Sequence, residues 1–461
     1  MINSWFDKKV LVIGAARQGM ALTRYLCSKG AQVTLNDGRP ENEMQSEFDQ
    51  LKDLSINWVL GNHPLSLLDK CDLICVSGGV PLTIPIITEA IKREVPLSND
   101  SQIFMETVIA PVVGITGSSG KTTTTSLMGD IAKAGVKENQ KVWVGGNIGN
   151  PLINYVDEIQ TNDLVILELS SFQLELMTTS PHIAAITNIT PNHLDRHGTL
   201  EAYTAAKSNI LKHQKGNDIA ILNRDDKGAS GLVDLVRGRL ATIGFSALPE
   251  DQDGIFIKED SIWSKFNNNS YPVCTFDEIP MRGKHNIYNV MTACAISQVL
   301  GFESTSTKHA ISSFRGVPHR LQLVTINNDV HWYDDSIATT PERTIAAIQA
   351  FDEPIILLLG GRDKNLPWES LLELVNEKVP QVILFGEAAK KIESYINNMH
   401  FEEMRFAYHI CDRLHEAVIK ANTIAKPGDF VLLSPGGTSY DEFKDFEERG
   451  ERFKQWVFQL R

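Results

Sequence analysis

Short apolar runs that end in glycine or small polar residues alternate with helix-period stretches along the whole chain. That alternation restricts the fold to parallel sheets joined by crossover helices. KKVLVIGAARQG followed by MALTRYLCSKG reads as strand, glycine turn and helix, and AQVTLND, CDLICVSGGV and EVPLSND continue the same layout. Near residue 100 the pattern restarts with APVVGITGSSGKTTTTSLMGDIAKAG, and DLVILELSS, IAAITNIT and DIAILN read as further strands. After FRGVPHRLQ, the runs VHWYDDS, PIILLLGG, QVILFGE and DFVLLSPGG each read as a strand closed by small or polar residues. A chain of 461 residues is too long for one core. The expectation is three α/β domains at 1–100, 101–316 and 317–461, with the polar stretch 245–280 as a hairpin excursion on the second.

Bulk properties exclude several classes. The net charge of -13 argues against broad nucleic-acid binding. No run reaches the roughly 18 apolar residues of a membrane span. MINSWFDKKVLVIG carries no apolar signal region, so a cytoplasmic location is expected. The six cysteines are scattered, and the close pair Cys71 and Cys75 reads as part of a buried strand rather than a metal site.

The chemistry concentrates in the second segment. Gly117, Ser118, Ser119, Gly120, Lys121, Thr122 and Thr123 follow the strand VVGIT and open a helix. Phosphate needs this arrangement: a glycine backbone allows close approach, N–H groups and the helix dipole meet the charge, and lysine reaches the terminal phosphates. The Thr122 hydroxyl is placed to ligate Mg²⁺. Ile115 stands where the strict motif has its first glycine. Glu168 ends the strand in LVILELSSFQLE, where a carboxylate faces the ligand crevice of an open α/β sheet. His193, beside Asp195 in NITPNHLDRHG, could be a ligand, a base or a solvated loop residue. Lys207 lies in the helical stretch Glu201–Lys207, where a lone lysine ordinarily reads as surface charge. In the first segment, Gly14–Gly19 follows a strand and Asp37 lies where a ribose-binding acid stands in a Rossmann unit. The glycine pattern is incomplete at Ala16, which leaves a nucleotide pocket, a dinucleotide oxidoreductase or plain tight packing open.

Taken together, these motifs resemble the Mur ligase family from end to end. TGSSGKTT, GGNIGNP at Gly145–Pro151, ELSSFQLE, NITPNHLDRHG, the AAK ending at Lys207 and GKHNIYN at Gly283–Asn289 match its middle domain. GVPHRLQ, DDSIATTP, LLLGGRDK and LLSPGGTSYDEFKDFEERG match its C-terminal domain. The resemblance implies a Rossmann-like N-terminal domain, a central P-loop ATPase-like domain and a C-terminal Rossmann-like domain. It implies an ATP-dependent ligase adding D-glutamate to UDP-N-acetylmuramoyl-L-alanine through an acyl phosphate, in peptidoglycan precursor synthesis. The nearest rival is the same ligation with L-glutamate.

The resemblance also assigns roles. Lys121 and Thr122 would hold the ATP phosphates and the first of two Mg²⁺ ions, with Glu168 as a further ligand. His193 would help bind the second, together with Lys207, which matches the family's carbamylated lysine. Asn286 and Asn289, with His285 nearby, would hold the adenine side of ATP, and Arg320 and Asp335 would reach the nucleotide. Arg17, Gln18, Asp37, Arg39, Ser77, Gly78, Gly79 and Asn147 would take the UDP-sugar. Thr339, Lys364, Ser439 and the backbone near Phe446 would take glutamate. A monomer is expected. Two departures stand out: Ile337 replaces a lysine of the family pattern, whose role in binding glutamate or phosphate is then absent or supplied by Arg343 or Arg362, and GAARQG lacks the more usual Leu-Thr pair.

Overall fold

A computed structural model describes residues 4–399 and 403–460. They fall into two compact units: one extends to Ile279 and takes in His285–Ser313, and the other comprises Pro280–Lys284 and the chain from Phe314.

The first unit holds two sheets. Five parallel strands run in the order Asn57–Leu60, Gln32–Asp37, Lys9–Ile13, Leu73–Val76 and Leu97–Ser98. The strand at Lys9–Ile13 is apolar on both faces because both are covered. Val10 and Val12 enter one cluster, with Leu22 and Leu26 of the helix Arg17–Ser28, while Leu11 and Ile13 pack on Ile86, Ile87 and Ala90.

The second sheet has nine strands, with Val112–Thr116 between Leu164–Glu168 and Ile183–Ile186, all parallel. Val142–Gly146 closes one edge, and Ile219–Asn223 and Arg239–Gly244 extend the other. The region expected to be a hairpin does hold antiparallel hairpins, and with them it lengthens this sheet by three strands. Asp253–Lys258 runs parallel to Arg239–Gly244, and Ser261–Phe266 and Asn269–Thr275 follow antiparallel. The last turn is made by Asn267 and Asn268, both at positive φ, the two-residue geometry that suits the twist of a hairpin. One apolar cluster runs from Val10, Leu22 and Tyr25 through Ala110 and Val112 to Leu152 and Val165, so the two sheets share a continuous core.

The second unit has six strands in the order Gln322–Asn327, Val330–Asp334, Phe430–Gly436, Ile355–Gly360, Gln381–Phe385 and Ala407–Cys411; the first pair is antiparallel and the rest parallel. The adjacent carboxyl ends of Val330–Asp334, Phe430–Gly436 and Ile355–Gly360 are where open sheets of this kind bind ligands. Among the described residues, no helix is long and apolar enough to cross a membrane.

Candidate phosphate and metal site

The loop Gly117–Gly120 leaves the central strand Val112–Thr116 and feeds the helix Lys121–Gly135. Gly120 caps that helix at φ +78°, and a Cβ there would stand 2.1 Å from Asn289 Oδ1, so only glycine fits. Asn289 is buried. It accepts a hydrogen bond from the Thr124 hydroxyl at 3.3 Å, which ties the helix Lys284–Val299 to the helix that the loop opens, and donates to Asn286 of its own helix at 2.9 Å. Ser119 is braced by Asn188 in both directions. The Lys121 ammonium folds over the loop and donates to the carbonyls of Gly117 and Ser118 at 2.8 and 3.2 Å. Thr122 and Thr123 occupy the first helical turn, Thr122 partly exposed.

Lys207 is not surface charge: it is 1% exposed. Its Nζ donates to Gly117 O at 2.8 Å and Thr116 Oγ1 at 3.3 Å, and lies 4.8 Å from the Tyr203 ring centroid. Burial, and then the nearby Lys121 charge, push its amine well below the usual lysine range, with Glu168 acting the other way. Glu168 is equally buried; Oε1 accepts from Asn147 Nδ2 at 2.8 Å, while Oε2 has no hydrogen-bond partner among the described residues. An orphaned buried carboxylate oxygen is costly unless a cation completes it, so this donor set fits a metal ion. His193 stands at φ +53° at the start of the turn Leu194–His197, edge-on to Phe172 at 5.1 Å. Desolvation and the charge of Lys121 lower its pKa and favour the neutral imidazole that binds metals.

On the first sheet, Asp37 accepts from Ala15 N at 2.8 Å and forms an ion pair with Arg39. Burial would raise the Asp37 carboxyl, but the bonds from Arg39 and the Arg39 and Ala15 amides outweigh it and hold the group below its usual value. Ser77 Oγ donates to Gly14 O at 2.8 Å, which places the Ser77–Gly79 turn against the Gly14 turn. Arg17 and Gln18 reach the carbonyls of Asn147 and Gly146, both at 3.4 Å, so this set adjoins Glu168.

The second unit groups the remaining candidates. Asp335 is buried, accepting from Ser434 Oγ at 2.8 Å and Leu321 N at 3.1 Å; burial raises its carboxyl to about 7. It directly follows Val330–Asp334, and Arg320 lies close enough to lower that pKa in part. Thr339 lies in the loop after the same strand. Lys364 and Ser439 flank the bridge that joins Arg362 to Thr438, and Phe446 starts the helix Phe446–Gln459. Sequence reasoning missed the group that orders these loops. Arg449, 0% exposed, donates to Ser336 Oγ and O and to Gly437 O, while Ser336 Oγ donates to Phe446 O. Beside Ile337, Arg343 donates to the Ile337 carbonyl at 3.0 Å, whereas Arg362 is engaged by Glu387.

A phosphate loop on a parallel sheet, with a buried lysine and a half-satisfied carboxylate against it, defines a nucleotide-dependent enzyme of the P-loop class. Three family models match in chain order: a MurD-like N-terminal domain of Mur ligases at 8–99, the Mur ligase middle domain at 115–297 and the Mur ligase glutamate ligase domain at 319–437. The chain belongs to the Mur ligase family. A Pelotomaculum thermopropionicum protein named UDP-N-acetylmuramoylalanine-D-glutamate ligase is 38% identical over 462 residues, 100% of each chain. A Ruminiclostridium cellulolyticum protein of the same name is 39% identical, over 99% of this chain and 97% of its own. In fold, the chain is similar to the UDP-N-acetylmuramate-alanine ligase of Thermotoga maritima, with a TM-score of 0.57 at 19% identity over 98% of this chain and 99% of that one. It is also similar to MurF of Acinetobacter baumannii, at 0.58 and 18% over 98% and 92%.

Proposed function

We propose that this chain ligates D-glutamate to UDP-N-acetylmuramoyl-L-alanine at the expense of ATP, in peptidoglycan precursor synthesis. The observation that carries the reading is the convergence of Lys121, Lys207 and Glu168 on one phosphate loop, in a chain whose full-length relatives bear that name. Residues 1–100 receive the nucleotide-sugar, 101–316 hold ATP and 317–461 hold glutamate. The enzyme acts in the cytoplasm as a monomer.

In the reaction, the alanyl carboxylate attacks the γ-phosphorus of ATP, and ADP leaves with its bridging oxygen. The glutamate amine then adds to the acyl phosphate, and the tetrahedral adduct expels phosphate and a proton. Phosphoryl transfer of this kind rests on positioning and charge neutralisation rather than on a protein nucleophile. Lys121 supplies a cation at the loop, and the loop amides receive the phosphate oxygens. Thr122, Glu168, His193 and a carbamylated Lys207 would hold two Mg²⁺ ions, whose charge offsets that building on the phosphoryl oxygens. A carbamate fits Lys207 because its remaining N–H can keep the bond to Gly117 O while CO₂ turns the amine into an anionic ligand. Asn286, Asn289, Arg320 and Asp335 orient the nucleotide. Arg17, Gln18, Asp37, Arg39, Ser77–Gly79 and Asn147 orient the UDP-sugar. Thr339, Lys364, Ser439 and Phe446 fix both carboxylates of the acceptor, which points the amine correctly for one enantiomer only.

The test is phosphate release from ATP with UDP-N-acetylmuramoyl-L-alanine and each enantiomer of glutamate. Release with D-glutamate alone is expected. Equal rates, or a preference for L-glutamate, would mean that the acceptor is misassigned.

A further inference from the structure

A cavity of about 210 Å³ opens between the Ser77–Thr83 turn of the first sheet and the Phe172 and His197 region of the second. A Cβ built on Gly78 would lie 3.7 Å from Gln18 Oε1 and 3.9 Å from Phe172 Cβ, so both sheets contribute to one patch there. Among the described residues, Arg196 is the one arginine or lysine on its wall. Its guanidinium carbon lies over the Phe172 ring, 4.8 Å from the centroid, and one of its nitrogens donates to Gly79 O at 3.1 Å. Phe172 is itself clamped, with the His197 ring parallel to it at 5.1 Å and His197 Nε2 held 3.0 Å from Ser171 Oγ. Among the described residues, the guanidinium's single hydrogen bond goes to a neutral carbonyl. Among the described residues no carboxylate forms an ion pair with it. Two acidic groups, Glu175 and Asp195, line the same cavity and oppose an anion there.

We infer that Arg196, a residue of the second sheet's loops, takes a phosphate oxygen of the nucleotide-sugar received by the Ser77–Gly79 turn. A planar guanidinium can grip a phosphate with two parallel N–H bonds between opposite charges, which a single bond to a neutral carbonyl does not match. With two acids on the wall, Arg196 is the group that makes anion binding favourable in this cavity. The inference rests on the reading that residues 1–100 bind the UDP portion of the substrate, and it extends that site to a residue outside them. Arg196 also follows His193 by three residues, so the contact would seat the nucleotide-sugar beside the loop that carries His193.

The experiment is calorimetric binding of UDP and of uridine to the full-length protein, its Arg196→Ala and its Arg196→Lys variants, at fixed ionic strength. UDP should bind the alanine variant about 10- to 100-fold more weakly and the lysine variant at an intermediate level, while uridine binds all three alike. KM for the nucleotide-sugar should rise in parallel, with KM for ATP unchanged. A change in UDP affinity below about threefold overturns the inference, and so does an equal loss for uridine, which would make Arg196 a support for the loop. If the unsubstituted protein binds neither compound, the assignment of the first segment fails as well, a result distinct from the other two.

Discussion

Lys207 offers the sharpest separation of stability from activity. Replacing it with methionine keeps the stem length and removes the amine. Two hydrogen bonds are lost, to Gly117 O and Thr116 Oγ1, each worth about 1 kcal/mol net. Neither acceptor is left bare: Gly117 O keeps the Lys121 donor at 2.8 Å, and the Thr116 hydroxyl still donates to Leu169 O at 2.7 Å. Relief from burying an amine at 1% exposure works the other way. The stability of Lys207→Met should therefore lie within about 2 kcal/mol of the parent, measured as a urea midpoint without ligands. Its turnover should fall by at least a thousandfold, about 4 kcal/mol of transition-state stabilisation. The substituted side chain can accept no CO₂ and ligate no magnesium. Lys207→Ala should be partly rescued by short carboxylic acids that fill the vacated space. A folded Lys207→Met protein that retained more than about a tenth of the parent rate would refute the role.

Gly120→Ala should lose about 2–4 kcal/mol of stability, because the new Cβ would meet Asn289 Oδ1 and the left-handed backbone adds its own strain; a thermal melt within a degree of the parent would count against it. Glu168→Gln should melt no lower than the parent without ligands, yet lose over a hundredfold in rate and most of the stabilisation by Mg²⁺ and ATP; an undiminished metal-dependent shift would rule out its ligand role. Asp335→Asn concerns pH. Burial raises this carboxyl to about 7, against Ser434, Leu321 N and the Arg320 charge, and Asp334 adds to the rise. The folded protein therefore holds a proton that the unfolded chain has lost, so this group's contribution is complete below about pH 4 and is lost as pH rises to about 7, by up to roughly 4 kcal/mol. The variant should flatten that slope relative to the parent in urea titrations at pH 5 and pH 8, while KM for ATP rises. Parallel slopes would show that Asp335 is not the titrating group.

How much of this was legible in the sequence depended on where each element sits in its sheet. Central strands such as Val112–Thr116, Leu164–Glu168 and Ile355–Gly360 are buried on both faces and read as unbroken apolar runs. The strands at Asn57–Leu60, Val142–Gly146, Arg239–Gly244, Gln322–Asn327 and Ala407–Cys411 went unrecognised. Four of these five are edge strands, with partly exposed residues that blur both the run and the alternation; Arg239–Gly244 is interior and mostly buried, and edge position does not account for it. The phosphate loop was readable because its chemistry is local: glycines, lysine and threonine sit side by side. The set that converges on it is not local. Glu168 ends one strand, His193 and Lys207 lie in the connection that follows another, and spacing alone gave Lys207 the character of a surface group.

A signal for the buried lysine was nevertheless present. Tyr203, Lys207 and Leu211 stand four apart in the helix Leu200–Lys212, and all three are buried, so the lysine falls in the apolar phase of its helix. Arg449 repeats the arrangement: Arg449, Phe453 and Val457 are four apart and all buried in the helix Phe446–Gln459. A charged residue in that phase forces its helix either to rotate its apolar face outward or to take the charge inside at a cost of several kcal/mol. Neither helix rotates, because each would expose an aromatic and an aliphatic side chain to spare one charge. The charge therefore goes in, and it is tolerated where carbonyls converge: Gly117 O at the phosphate loop for Lys207, and Ser336 O with Gly437 O for Arg449. Those carbonyls belong to loops at the carboxyl ends of strands, which are also the places where ligands bind. A charge in the apolar phase of a crossover helix thus points back to the loop that needs it, and in this chain both cases lead to the loops on which the proposed phosphate and glutamate sites are built.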